Sequence, residues 1–499
     1  MKVHLMYRDH DFDLAQAPPP CADDLVQDLE LATLWRAMSR DDKWLAEVVS
    51  KAVLVSSMDL ETILYRQDIL KDCLRNEVAI RGLYDLAVET IEAERKGYLS
   101  LMRYPGAILY RSLEVLQMAV IMLQRLRGLA DAQIDKVESE GFRALFAMLR
   151  AELSDDYLTN VRDHLKYLRF QDGILLSAQL GEGNMGVNYL LRKEPAPDGG
   201  WLRRMFMAGP PSYSFQVHPQ DVGGARALEE LRNRGINLVA NALAQSADHI
   251  LNFFRALRTE LAFYVGCLNL HGRLSAQGEP VCFPRPAAHG ERRLSVVGLY
   301  DASLALTLGR RVVGNQLDAD NKDLVMVTGA NEGGKSTLLR SLGQAQFMMQ
   351  CGMFVPAEAF CANLCRRVFT HYKREEDTAM ESGKLDEELG RMSRIVDNLT
   401  ADSLVLFNES FAATNEREGS EIARQIIGAL VERHVKVYIV THQYELARGF
   451  YEKNLPSALF LRAERQADGS RTFKIAEGQP LQTSHGEDLY RQIFFDAAP

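Results

Sequence analysis

Residues 325–341 read VMVTGANEGGKSTLLRS, an apolar run that breaks into glycines and then takes on a helical pattern. Positions 329–336, Gly-Ala-Asn-Glu-Gly-Gly-Lys-Ser, satisfy the spacing G-x-x-x-x-G-K-[ST] of a phosphate-binding loop. In such a loop Gly329, Gly333 and Gly334, with Ala330 and Asn331 between them, let successive backbone N–H groups face an anion. The helix expected to start near Lys335 adds its positive end. Lys335 is then expected to reach the β and γ phosphates, Ser336 to ligate magnesium through its hydroxyl, and Thr337 to extend the polar rim.

The flanking sequence supplies the context such a loop needs. DLVMVT (323–328) reads as a buried strand before the glycines, and TLLRSLGQAQFMMQ (337–350) as a helix after them. A second strand, SLVLFNES (403–410), ends in Asn408 and Glu409, and a third, VKVYIVTH (435–442), ends in His442. Open α/β sheets bind ligands outside the carboxyl ends of their strands, so these polar groups converge on one crevice. Glu409 is expected to orient or deprotonate an attacking water and His442 to sense the γ phosphate.

Outward from this region, the 499 residues suggest about three structural units, and 47% apolar with 25% charged residues is ordinary for a globular chain. No uninterrupted apolar stretch is expected to span a bilayer, the first twenty residues do not read as a signal peptide, and a cytoplasmic protein without membrane contact is expected. Seven cysteines, few and odd in number, argue against a disulfide framework. Cys361 and Cys365 near His371, and Cys267 with His271, fall short of a zinc ligand set, so buried apolar cysteines are expected. A net charge of −9 gives no global signature of nucleic-acid binding, and any DNA contact must be local.

After a Pro-rich head (1–23), residues 24–172 carry helical periodicity, as in LYDLAVETIEAERKGYLSLM and AILYRSLEVLQMAVIMLQRLRGLA. GILLSAQLGEGNMGVNYLLRK (173–193) reads as a β-hairpin, and a loop rich in Gly and Pro extends that region to 220. Residues 221–283 return to a helical pattern, read either as one lever of about 40 residues, roughly 60 Å long, or as two helices broken near Gly235. Pro284, Pro286 and Gly290 mark a linker into 284–499, where strands alternate with helices. The expected architecture is an α/β P-loop domain with a largely parallel sheet, preceded by a mainly α-helical core and lever region with a small hairpin tip.

The loop TGANEGGKST, followed by the Val-Pro-Ala run, is similar to the TGPNMGGKST loop of the MutS family, a branch of the ABC ATPases. FTHYKREEDTAMESGKLDEEL and SLVLFNES resemble the family's FTR element, signature and LVLMDE strand. VYIVTHQYELA resembles its ATHYHEL segment and PLQTSHGEDLYRQIF its late SYGIEVA element. The resemblance is specific over about 295–492. Upstream it is weaker: SSMDLETILYRQDILKDCLRNEVAIRGLYDLA resembles the core segment, and ADHILNFFRALRTELAFYVGCLNLHGRL the returning lever.

The resemblance implies ATP and Mg2+ as cofactors. It implies a homodimer or a heterodimer with a related ATPase, in which each P-loop is completed by the other chain's segment 382–388. It also implies double-stranded or branched DNA as substrate, with a nuclease or repair partner. Ser382 and Gly383 fall where the family's signature Ser-Gly sits, and Glu388 matches as well. SGKLDEEL also reads as a helix start, with Ser382 capping it and acids in its first turn. Asn315 matches the family's adenine-holding asparagine, with Tyr300 as the stacking aromatic. Arg192, Lys193, Arg203 and Arg204 become candidate DNA-phosphate contacts, or else belong to an ordinary solvated loop.

Four departures qualify the resemblance. No mismatch-recognition domain is expected in this chain and the family's Phe-x-Glu wedge has no visible counterpart, so mismatch readout is not expected, nor is a C-terminal helical module expected after SHGEDLYRQIFF (484–495). The signature alignment is shifted. Asn408 stands where the family has aspartate, so it accepts a hydrogen bond near the metal without adding charge, and turnover is expected to be lower. A nucleotide-gated dimeric scaffold, with little hydrolysis and no DNA contact, is the alternative reading.

Overall fold

The computed structural model describes residues 1–96, 104–171, 173–193, 213–330, 332–374, 383–465 and 471–481. They form two compact units. One comprises Met1–Val3, Arg81–Lys136 and Arg143–Arg258; the other comprises His4–Ile80, Val137–Phe142 and Thr259–Pro499. Residues 4–80 thus group with the P-loop region.

In the P-loop unit, strands β6 (Leu324–Thr328), β8 (Val368–Tyr372), β9 (Leu404–Asn408), β10 (Lys436–Val440), β11 (Ala458–Arg465) and β12 (Arg471–Glu477) form one sheet in the order β12-β11-β6-β10-β9-β8. Every pairing is parallel except that of β11 with β12. β6, β8 and β10 are buried along their whole length, as strands covered on both faces must be, which suits their largely apolar sequences; Thr328, Thr370, His371 and Lys436 are the polar exceptions. Helices Glu416–Glu432, Tyr444–Glu452 and Lys384–Asn398 send Ile427, Leu446, Phe450 and Ile395 into a core with Phe407, Val437 and Ile439. A second sheet, β3 (Arg285–Ala287), β7 (Ala359–Asn363), β4 (Leu294–Leu299) and β5 (Asn315–Asp318), was not foreseen. Its members are short and join across separations as long as that of Arg285 from Cys361, a pairing that no local pattern encodes.

The amino end is woven into the same unit. Glu260, fully buried, accepts the backbone amides of Leu5, of Met6 at 2.8 Å and of Phe12 at 2.6 Å. Tyr264 donates to the Leu5 carbonyl at 2.6 Å and Arg66 Nε to that of Met6 at 2.7 Å.

In the helical unit the expected hairpin is present as β1 (Leu176–Leu180) and β2 (Gly186–Leu191), antiparallel, turning through Gly183 and Asn184 at positive φ. Helix Val222–Ala276 runs 55 residues without interruption, so the reading of a break near Gly235 is corrected. A Cβ at Gly235 would lie 2.4 Å from Leu176 Cδ2, so this glycine admits the hairpin rather than ending the helix.

Among the described residues one helix, Pro105–Lys136, is long and apolar enough by length and composition to cross a bilayer, against the expectation of none. Its arginines are paired laterally, Arg111 with Glu94 at 3.0 Å, Arg125 with Glu89 at 2.8 Å and Arg127 with Asp155 at 2.8 Å. One face, with Leu109, Leu116, Leu123 and Leu126, is buried. Paired charges and a buried stripe are those of a helix packed on other helices.

The cysteines described are all free. No group of three or more His, Cys, Asp or Glu side chains suited to a metal occurs among the described residues.

Candidate nucleotide site

The loop between β6 and helix Lys335–Gln350 opens a cavity of about 540 Å³ at the carboxyl end of the parallel strands. Gly333, Gly334, Lys335, Ser336, Thr337 and Glu409 line one part of it. Leu304, Leu308, Val312, Asn315 and Phe473 line the rest, with exposed Arg310 and Arg311 at its edge. Gly334 caps the helix at φ 86°, a left-handed conformation that glycine adopts without a Cβ clash. A Cβ at Gly333 would come within 2.7 Å of the Ala463 side chain, so the loop lies tightly against β11.

Lys335 is 4% exposed, and its Nζ donates to the carbonyls of Gly329 at 3.0 Å and Ala330 at 2.7 Å. Burial pulls its pKa down to about 8, partly countered by the Glu409 charge. A desolvated amine with only neutral carbonyl partners gains from an anion entering beside it. Ser336 Oγ donates to Asn408 Oδ1 at 2.9 Å, so a hydroxyl and an amide oxygen stand together with the Glu409 carboxylate one residue further along. Oxygen donors of this kind suit magnesium, which keeps most of its own waters. The amides at the helix start, the buried amine and the three oxygens therefore fit a triphosphate with magnesium.

Beside these groups Glu409 Oε1 and His442 Nε2 lie 2.8 Å apart. This hydrogen bond, with the nearby Lys335 and Lys373 charges, holds the Glu409 carboxyl below the usual carboxylate range against the effect of burial.

The structure thus gathers Gly333, Gly334, Lys335, Ser336, Thr337, Asn408, Glu409 and His442, with Gly329 and Ala330 beneath Lys335. Asn315 also lines the cavity, but β12 engages its amide, which donates to the Phe473 carbonyl at 3.2 Å and accepts from the Ile475 amide at 2.8 Å. Tyr300 is 2% exposed and is absent from the lining, so its expected stacking role is corrected; the aromatic at the cavity is Phe473. Phe473 lies 158 residues from Asn315 on a strand that pairs antiparallel, and nothing local marked it.

Gly383 caps helix Lys384–Asn398 in extended conformation, away from this cavity. Glu388 is buried, and its carboxylate accepts the Phe411 amide at 3.1 Å. Arg192 is exposed and donates to Ser177 Oγ at 2.8 Å, and Lys193 is exposed beside it. Asn331, Ser382, Arg203 and Arg204 lie outside the described residues.

Two families match the chain: the MutS2 N-terminal domain over residues 58–277 and MutS domain V over residues 325–491. The chain belongs to the MutS family. The MutS domain V match is of P-loop ATPase type and takes in the loop, Asn408, Glu409 and His442. The DNA mismatch repair protein MutS of Parabacteroides distasonis is 32% identical over 265 residues, 51% of this chain and 29% of the relative. MutS of Roseiflexus sp. (strain RS-1) is 27% identical over 235 residues, covering 46% and 21%. MutS of Thermotoga sp. (strain RQ2) is 36% identical over 170 residues, covering 33% and 21%. The chain thus spans less than a third of the length of these MutS relatives.

Proposed function

We propose that this chain is an ATP-binding and ATP-hydrolysing protein of MutS type that acts on DNA, in repair or a related transaction, without mismatch readout, in the cytoplasm. The observation that carries the reading is one cavity lined by Lys335, Ser336 and Glu409, with His442 hydrogen-bonded to Glu409. When bound, ATP with Mg2+ supplies the phosphoanhydride bond to be broken and neutralises its charge. Lys335 and the amides around Gly333 and Gly334 bind the phosphates. Ser336 and, through water, Asn408 hold the metal. Glu409, kept ionised by His442, accepts a proton from the attacking water and orients it. Phe473 replaces Tyr300 as the aromatic offered to the base, with Asn315 beside it.

Two such chains, or this chain and a related ATPase, are proposed to face each other so that Ser382 and Gly383 of one complete the site of the other. Binding then joins the ATPase surfaces and hydrolysis parts them, a bistable interface whose change the long helices carry onward. Arg192 and Lys193, with Arg203 and Arg204, are the proposed phosphate contacts on double-stranded or branched DNA, and a nuclease or other repair protein is the proposed partner.

The neutral Asn408 beside Ser336 favours a second reading, a nucleotide-gated dimeric scaffold with little hydrolysis and no DNA contact. Steady-state phosphate release separates the two, measured with linear, single-stranded and branched DNA and with Glu409→Gln and Lys335→Ala as controls. Turnover abolished by both substitutions supports the ATPase. Turnover absent under every condition, with ATP still bound, leaves the scaffold.

A further inference from the structure

The backbone just past β9 turns twice through the left-handed region, with φ of 53° at Glu409 and 60° at Phe411. Side chains with a Cβ disfavour that region, and such a turn persists only where its surroundings over-determine it. Here they do. The Glu409 amide donates to the Val440 carbonyl at 2.9 Å. The Phe411 peptide is gripped at both ends: its amide donates to Glu388 Oε1 at 3.1 Å, and its carbonyl accepts from Gln443 Nε2 at 3.1 Å.

Ser410, between them, is buried, and its hydroxyl lies 2.8 Å from Nδ1 of buried His371. His371 Nε2 lies 2.9 Å from the Glu388 carbonyl, which can only accept, so the proton sits on Nε2, while the Ser410 hydroxyl donates to the His371 carbonyl. Burial drives the His371 pKa to about 4, which keeps the ring neutral. The same ring stacks on Phe411 at 5.1 Å and 19°. Helix Lys384–Asn398 is thus tied to the turn twice through one residue, by the Glu388 side chain and by its carbonyl.

We propose that Glu388 is a positioning residue for Glu409, its carboxylate holding the Phe411 amide so that the strained turn presents Glu409 to the nucleotide cavity. The proposal rests on the reading of Glu409 as the residue that activates water. Read as an acid in a helix's first turn, Glu388 would face solvent and the helix amides; instead it is 6% exposed and faces another element.

The test measures phosphate release and binding of a fluorescent ATP analogue with magnesium on the full chain. Glu388→Ala is expected to lower kcat by about 10- to 100-fold, the cost of a small misplacement of a reacting group, with nucleotide affinity unchanged. Glu388→Gln keeps an oxygen acceptor of the same shape and should restore most of the loss. Gln443→Ala, which frees the other end of the same peptide, should lower kcat in the same way. Amide hydrogen exchange over residues 409–413 supplies a readout that needs no turnover, and Glu388→Ala should speed it there while leaving 324–328 protected.

A Glu388→Ala protein with wild-type kcat, with affinity falling in step with kcat, or with unaltered exchange at 409–413 would overturn the assignment. So would Glu388→Gln failing as badly as the alanine variant. A wild-type protein that binds ATP without turning it over removes the hydrolytic reading alone, and the exchange measurement still decides whether Glu388 holds the turn.

Discussion

His442 Nε2 lies 2.8 Å from Glu409 Oε1, and of all the influences on that carboxyl this hydrogen bond is the largest, holding it below its ordinary range. Glu409 therefore stays ionised, and able to take a proton, at pH values where an unassisted glutamate would begin to protonate. Removing the imidazole by His442→Ala should move the acid limb of the kcat profile to higher pH. Profiles of wild type and variant that superimpose on the acid side would contradict this.

Lys335 titrates in the other direction. Burial holds its pKa near 8, below the 10.5 of an unhindered lysine, so the folded state releases the proton first as pH rises. The unfolded chain binds more protons between those values, and stability in the absence of nucleotide should increase from pH 8 towards 10.5. The increment is at most on the order of 3 kcal/mol. Urea unfolding of wild type and Lys335→Met at pH 7.5 and 10 checks it: the difference between the two proteins should narrow or reverse at the higher pH.

Asn408 offers a neutral oxygen to Ser336 at 2.9 Å. Asn408→Asp keeps that acceptor and adds a charge, and charged hydrogen bonds are worth about 1 kcal/mol more than neutral ones. The concentration of Mg2+ giving half-maximal phosphate release should fall about fivefold, in line with that energy. An unchanged magnesium requirement would mean that position 408 takes no part in holding the metal.

Glu260 is buried and its pKa is pushed up to about 7, chiefly by desolvation, against the pull of three backbone amides. Its folded-state pKa exceeds the 4.5 of the free side chain, so its stabilising contribution is complete below 4.5 and is lost as pH rises through 7. The loss approaches about 3 kcal/mol between pH 4.5 and 8. Thermal melts across that window should decline in wild type and run flatter in Glu260→Gln.

Much of the P-loop unit was legible because its signals are local. Gly-Ala-Asn-Glu-Gly-Gly-Lys-Ser carries its own spacing, and the runs LVMV and VYIV within β6 and β10 are apolar because both faces are covered. The ends of β9 and β10 then brought Glu409 to the cavity, Asn408 to Ser336 and His442 to Glu409. What stayed hidden depends on chain folded back from far away. Phe473 reaches the cavity from β12, and Tyr300, near Asn315 in sequence, turns inward instead. In sequence His371 stands near two cysteines, whereas in the fold it bonds Ser410; Glu388 falls in the segment that the resemblance assigns to a second chain's P-loop, whereas in the fold it holds Phe411. Gly235 carries the sign of a helix break in sequence, whereas the structure uses the missing side chain as space for Leu176.

The weaving of the amino end around Glu260 bears on how the protein can be handled. The amides of Leu5, Met6 and Phe12 donate to that carboxylate's two oxygens, and Arg66 and Tyr264 fasten the same segment. Clipping the first dozen residues, by a protease or by a choice of expression boundary, would strand an ionisable group in the interior. A trimmed preparation that loses ATP binding would then be reporting a collapsed scaffold rather than a missing binding determinant.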